Sequence, residues 1–499
     1  MEDRTALLFP STRPTPHSTP LSIIDSSVAS YSPCSALWLF GKSDEGWSAS
    51  ALQESLRRTL DVYPQFSGKL YIPQYDAEAA VRDHTRRFGR IHIAWGNKDD
   101  PGLQFTFASS SKSAQEYIPL MSGQRTPLRT PWDLFPDLQS IPNPRREVKP
   151  CVLIKVTLFA DGSLAVGIAL HHSLSDIQTL CTFVRDWGAA HRNLTLTQRP
   201  FNPLAVDDHA PYLDEMQESP TLRDRALKIP QIRLDYWAGG PSRAIKSATA
   251  PHEAIDHLDE AQGRPRGTPI PWDTWDSKAP VSDAYIHFSR EQLELLWTRA
   301  SAGRRVSRLD ALLAHLWRLV VKARQLQDEE IVHFDMSIGL RSRLYPPLGD
   351  TFLGSPLINI SSSVGAAELI DRPLSDTAAL IRHTVEKADS DSLNALLHHL
   401  AFALDPEREW NAFLGKHHCM VTSWLSTGSW NIDFGAGRPL EVYSGISALD
   451  GLMVIMDEPC DLFDASRRWY EDGVRIRMCL ATNVMDKFLA DPEFSGTHA

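Results

Sequence analysis

Residues 171–176 read His-His-Ser-Leu-Ser-Asp, which sets a base, His172, four residues before a carboxylate, Asp176. An imidazole with a pKa of about 6.5 is mostly neutral at pH ~7 and can take a proton from a hydroxyl or an amine. An ionised aspartate nearby can fix its tautomer or brace the loop that carries it. Spacing alone does not decide for chemistry. His252 and Asp256 repeat it in a stretch with no flanking strand, and Ser175 or Asp176 could simply cap the helix that follows. What sets His172 apart is its place, where an apolar strand hands over to a helix and a side chain can be both rigid and accessible.

The elements that would hold it there surround it. VLIKVTL at 152–158 alternates like a strand, Asp161-Gly162 turns the chain, and SLAVGIAL at 163–170 is apolar on both faces, as an interior strand is. Ile177, Leu180, Cys181, Val184 and Trp187 then recur at helical spacing. Upstream, LQFTFA at 103–108 is a half-buried strand. Residues 50–63 read as a helix, with Ser50 and Gln53 as a capping box and Leu52, Leu56, Leu60 and Tyr63 on one face.

From 196 to 280 proline and charge break the periodicity, as in a long crossover with one short helix between two domains. Regularity returns with the strand DAYIHF at 283–288 and a helix capped by Ser289 and Gln292. A second helix opens at Ser307 and Asp310 and carries Leu309, Leu312, Leu313, Leu316 and Val320. VRIRMCL at 474–480 is a strand, and VMDKFLADP closes with a helix. The organisation read from this is an N-terminal domain over 1–195, a crossover linker over 196–280 and a C-terminal domain over 281–499, both domains α/β.

Composition narrows the function classes. Of 499 residues, Lys+Arg number 51 and Asp+Glu 62, so the net charge is 51 − 62 = −11. An acidic chain without a lysine run is a poor ligand for nucleic acid or an anionic membrane. No apolar stretch approaches the ~20 residues of a membrane span. The N-terminus lacks the basic-then-apolar order of a signal peptide. Six cysteines, at 34, 151, 181, 419, 460 and 479, contain no C-x-x-C pair, which argues against zinc modules and a disulfide framework. The expectation is a reduced, cytoplasmic protein with no bound metal.

KVTLFADGSLAVGIALHHSLSD…FVRDWGAAHR resembles the centre of the BAHD acyltransferases, acyl-CoA-dependent transferases of plants and fungi. Four further segments agree in order and spacing: PLSIIDSS…LQESLRRTLDVYPQFSGKL near the start, then SRLDALLAHLWRLVVKAR, IGLRSRLYPPLGDTFLGS and, at Asp433–Pro439, DFGAGRP for the family's Asp-Phe-Gly-Trp-Gly signature. The resemblance implies two chloramphenicol-acetyltransferase-like domains of mixed β-sheet flanked by helices, with an active-site channel at their interface. It makes His172 the general base of a direct transfer without an acyl-enzyme. Thr422 and Trp424 fall where a hydroxyl and an indole N–H face the oxyanion. Asp176 would turn away to pair with Arg341, with Arg343 as the fallback, while Asp433, Gly435 and Gly437 brace the fold. Coenzyme A, an anion, needs a local basic patch; Arg304, Arg305, Ser307 and Arg308 at a helix N-terminus are the candidates.

Two departures stand out: Ile177 occupies the usual glycine after the motif aspartate, and Ala436 the usual tryptophan of the signature. Neither changes a proton-transfer group. The long linker and an insertion over about 450–473 are similar to fungal members, which acylate secondary metabolites. The implied activity is O-acyl transfer, acetyl-CoA being the expected co-substrate, to a hydroxyl of a small secondary metabolite by a monomer with no permanent cofactor. The alternatives are N-acylation, condensation from a carrier-bound thioester, or a degenerate member that only binds a metabolite.

Overall fold

The computed structural model describes residues 3–494 apart from 45, 119–124, 128–129, 146, 237, 239–266 and 460–467. His252, Asp256 and Cys460 lie outside the described residues. Two mixed sheets carry the architecture. In the first, six strands run in the order Arg4–Leu8, Leu103–Ser110, Val152–Phe159, Leu164–Leu170, Cys34–Phe40, Glu441–Ser444. Every residue of Leu164–Leu170 and of its neighbour Cys34–Phe40 is buried, which is why the former is apolar on both faces. Its hairpin turn uses Gly162 at φ 84°, a left-handed backbone that glycine adopts without steric cost. Helix Ile177–His191 covers this sheet with Leu180, Val184 and Trp187 turned to the core.

The second sheet has seven strands in the order Leu357–Gly365, Ile331–Gly339, His418–Ser423, Leu452–Asp457, Val474–Ala481, Val281–Phe288, Arg125–Pro127. Of the three capped helix starts expected, two are present as capping boxes, at Ser289 with Gln292 and at Ser307 with Asp310. Two local readings are corrected. The helix Ala49–Leu60 is capped by Ser48, whose extended backbone (φ −122°) lets its hydroxyl accept from Ala51 N, whereas Ser50 already lies inside the first turn. Residues 452–457 of the expected insertion are an interior strand, wholly buried. The linker's short helix is Pro220–Ala226.

The sheets exchange strands: Glu441–Ser444 pairs with Cys34–Phe40, and Arg125–Pro127 pairs with Val281–Phe288. Trp424, Trp430, Ile432 and Phe434 consequently sit in the core of the first sheet, although the chain reaches them from the second. Trp38 fastens this crossing by donating its indole N–H to the Ser429 carbonyl at 2.9 Å. The site therefore lies where two sheets are locked together by shared strands. No helix among the described residues is long and apolar enough to cross a membrane. Cys34, Cys151, Cys181, Cys419 and Cys479 are buried free thiols.

Candidate active site

The interior strand ends at Leu170, and a short 3-10 turn, His172–Leu174, leads into helix Ile177–His191. The two histidines at this junction have different environments. His171 donates its backbone N–H to the Cys151 carbonyl at 2.9 Å, and its Nδ1 accepts from Ser173 N at 3.2 Å. Burial pushes its pKa down to about 3. Sealed and neutral, it is a framework residue.

His172 lies equally deep in the protein but keeps accessible surface, so it lines a space that solvent can reach. Burial lowers its pKa while the charge of Asp176 works the other way. Nδ1 stands 2.9 Å from Ser355 Oγ, and the ring meets Tyr31 edge-on at 5.6 Å. When Nδ1 donates to Ser355 Oγ, the proton sits on Nδ1 and Nε2 keeps its lone pair. No group among the described residues hydrogen-bonds Nε2. A neutral imidazole with a free lone pair in a reachable interior space can remove a proton from a bound molecule.

Asp176 does not hydrogen-bond this ring, because both its oxygens are engaged elsewhere. Oδ1 accepts from Thr179 N at 2.9 Å, capping the helix, and from Arg341 Nη2 at 2.9 Å; Arg341 Nη1 completes a two-point pair on Oδ2. The residues are 8% and 7% exposed, so the pair is a buried clamp between the sheets. Arg341 also bonds Thr179 Oγ1 at 3.0 Å and the Phe352 carbonyl at 3.3 Å.

Thr422 lies on the strand His418–Ser423, and Trp424 just after it donates its backbone N–H to the Ile455 carbonyl at 2.7 Å. The Thr422 hydroxyl and the Trp424 indole N–H make no hydrogen bond among the described residues, so both donors are uncommitted. Asp433 is a bracing residue: Oδ1 accepts from Gly435 N at 2.6 Å and Gly437 N at 3.1 Å, and Oδ2 pairs with Arg192 at 3.0 Å. Gly435 and Gly437 have φ of 101° and 77°, which is why this turn is glycine-rich.

The basic candidates are not equivalent. Arg304 pairs with Asp376. Arg308 pairs with Glu294 at 2.6 Å and is sandwiched between Trp297 and Tyr470 at 4.3 and 4.1 Å. The Ser307 hydroxyl is held by Asp310 and Arg382. Arg305 is exposed and has no ionic partner among the described residues. Arg343 is also without one there; burial and the nearby Arg382 push its pKa down. Asp83, His84 and Asp214 have metal-ligand residue types, but both ring nitrogens of His84 are already bonded, to Asp214 at 2.9 Å and Asp207 at 3.3 Å. Arg343, the fallback partner for Asp176, is not used as one because Arg341 holds both carboxylate oxygens, and Ser355 and Tyr31 were not singled out from sequence. No spacing links residues 31, 172 and 355, and only the fold brings them together.

Residues 3–495 match the family model described as Transferase family. Acyltransferase AFT15-1 of Alternaria alternata is 24% identical, over 96% of this chain and 94% of its own length. Agmatine hydroxycinnamoyltransferase 1 of Oryza sativa subsp. japonica is 26% identical over 82% and 80%. The structure of F. graminearum TRI101 with coenzyme A and deoxynivalenol superposes with a TM-score of 0.67 at 17% identity, covering 96% of this chain and 98% of that one, and gives the same two-domain α/β fold. A family match over nearly every residue, with full-length relatives that are acyltransferases, means that this chain belongs to the Transferase family, in its BAHD branch, and is an acyltransferase.

Proposed function

We propose that this enzyme transfers a short acyl group, acetyl first among them, from acyl-CoA to a hydroxyl of a small secondary metabolite, with His172 as general base. The observation that carries this reading is the setting of His172: deep, its pKa lowered by burial, Nδ1 engaged by Ser355 Oγ, and Nε2 without a hydrogen-bond partner among the described residues. Nε2 takes the acceptor's proton as its oxygen attacks the thioester carbonyl, and a tetrahedral oxyanion forms. Thr422 and Trp424 supply hydrogen-bond donors for that charge. Collapse breaks the carbon–sulfur bond, and the imidazolium returns its proton to the leaving thiolate. No residue is acylated. General-base assistance of this kind contributes about 10²–10⁴-fold, and placing two substrates side by side contributes the rest.

Asp176 and Arg341 hold the His172 turn and take no proton. For the phosphates of coenzyme A, Arg305 and Arg343 are the better-suited cations, because Arg304 and Arg308 already have carboxylate partners. The N-terminus of helix Arg308–Arg324 adds its own attraction for an anion. Coenzyme A is then a co-substrate and not a resident cofactor, and the enzyme acts as a monomer.

The test is acetyl-CoA with a panel of hydroxylated and amine acceptors, followed by thiol release and product mass. Acceptor-dependent thiol release with an alkali-labile, acetylated product supports ester formation; release at the same rate without acceptor defeats it. An amine acceptor is the second reading, favoured by the agmatine hydroxycinnamoyltransferase among its relatives, and an alkali-stable amide product would select it.

A further inference from the structure

The group that holds His172 comes from the other sheet's side of the molecule, and it is itself gripped twice. Ser355 lies in the buried segment Phe352–Pro356. On one side this segment is clamped by the helix cap. The Gly354 carbonyl accepts from Asp176 N at 3.1 Å and Thr179 Oγ1 at 2.9 Å, its N–H donates to Thr179 Oγ1 at 3.2 Å, and Arg341 bonds the Phe352 carbonyl. On the other side stands Asp25. Its Oδ1 accepts from Ser355 N at 2.7 Å, and its Oδ2 accepts from Ser22 Oγ at 2.7 Å. Asp25 is 1% exposed, and Ser22 and Ser355 are both 0%.

The fit is tight. Gly354 has φ 148°, and a Cβ there would stand 3.0 Å from the Phe352 ring and 3.2 Å from Asp25 Oδ1. Asp25 therefore reaches the Ser355 backbone only because residue 354 has no side chain. The result is a chain of contacts, Asp25 to the Ser355 N–H and Ser355 Oγ to His172 Nδ1, with each link between 2.7 and 2.9 Å.

We infer that Ser355 orients His172 for acyl transfer by accepting its Nδ1–H, and that Asp25 is a positioning residue acting through Ser355. This rests on His172 being the base. No proton passes along the chain: Nδ1 keeps its hydrogen throughout the cycle, and Ser355 and Asp25 fix the direction in which Nε2 points. The charges facing these groups are few. His172 faces Asp176 and His171, and Asp25 faces Asp207, which is held by Ile23 N at 3.0 Å and by His84. Burial pushes the Asp25 carboxyl up to about 7, and both its oxygens serve as hydrogen-bond acceptors. An asparagine can take its place, with its amide oxygen on Ser355 N and its amide nitrogen on Ser22 Oγ.

The experiment measures kcat, KM for acetyl-CoA, melting temperature and the ¹⁵N shifts of labelled histidine in wild type and in His172→Ala, Ser355→Ala, Asp25→Ala and Asp25→Asn. Loss of an orienting partner is expected to lower kcat by about 10–100-fold, with KM unchanged. Ser355→Ala should also mix the His172 tautomers in the spectrum. Asp25→Ala should follow Ser355→Ala, and Asp25→Asn should restore wild-type kcat. Wild-type kcat and an unchanged His172 signal in Ser355→Ala overturn the inference, as does an Asp25→Asn variant as slow as Asp25→Ala. If Asp25→Ala does not fold, the Ser355→Ala and Asp25→Asn results still decide. Full activity in His172→Ala would instead remove the base itself, a different failure that leaves the tautomer result standing as a purely structural fact.

Discussion

Two turns of this molecule place an aspartate against helix Ile177–His191, one at each end. At its N-terminus Asp176 is buried, caps the helix and pairs at two points with Arg341 across the sheets. At its C-terminus Asp433 is part-exposed, ties down Gly435 and Gly437, and pairs with an equally exposed Arg192. Both are bracing carboxylates, yet only the first lies beside a group that can do chemistry. What separates the turns is the neighbour that each one steadies. The first fixes a backbone that delivers an imidazole, deep and still reachable. The second fixes a backbone whose Phe434 fills a core between Phe40 and Trp187. Residue type alone does not distinguish a reacting turn from a packing turn.

The strongest way to break this contrast is truncation at each turn. His172→Ala should cost about 10²–10⁴-fold in kcat. Asp433→Ala should leave kcat unchanged. Equal losses in both would erase the distinction. Next in size is the pair of arginines. Arg341→Ala strands a buried carboxylate, for which about 3–5 kcal/mol of stability is expected to be lost. Arg192→Ala removes a solvent-screened pair worth about 0–1 kcal/mol. Denaturant melts of the two variants measure the gap directly.

A smaller effect tests the packing turn itself. At Gly188 a Cβ would lie 2.5 Å from the Asp433 carbonyl oxygen, closer than backbone allows. Alanine in a helix interior gains up to about 1 kcal/mol over glycine. Overpacking against backbone costs about 1–3 kcal/mol, so Gly188→Ala should be destabilising on balance. A melting temperature above that of wild type would mean that the DFGAG turn yields to helix Ile177–His191 and does not press on it.

Much of the fold was legible because the signals were local. The hairpin around Asp161-Gly162, the capping boxes at Ser289 and Ser307 and the apolar interior strand each follow from residues within one or two turns of one another. The site was legible only in part. His172 could be picked out from its junction, but nothing in the spacing of residues 176 and 341 relates them, and that pairing was available only through the family resemblance. Ser355 and Asp25 lie inside segments that carry the resemblance, but it gave them no role, and one sits in a proline- and glycine-rich loop while the other sits in an opening segment with no periodicity. The cap at Ser48 was misread because a second serine and a glutamine stand two residues later at the same spacing. The exchange of Glu441–Ser444 into the first sheet was invisible, because partner choice among strands is a tertiary decision.

The smallest expected effect is also the sharpest on the contrast between the two aspartates. His172 must be neutral to accept a proton, so activity falls as pH drops through its pKa in the folded enzyme. Burial holds that pKa below 6.5, and the negative charge of Asp176 raises it part of the way back. The acid limb of kcat/KM should therefore lie below pH 6.5, with the rate flat above it. Asp176→Asn removes the charge that favours the imidazolium and leaves the Arg341 cation uncompensated. Both changes disfavour protonation, so the limb should move further down, by less than about one pH unit. Asp433 is not among the charges acting on His172, and Asp433→Asn should leave the limb where it is. An upward shift in Asp176→Asn would mean that Asp176 acts on His172 by some route other than its charge. An equal shift in both variants would mean that the limb does not report His172.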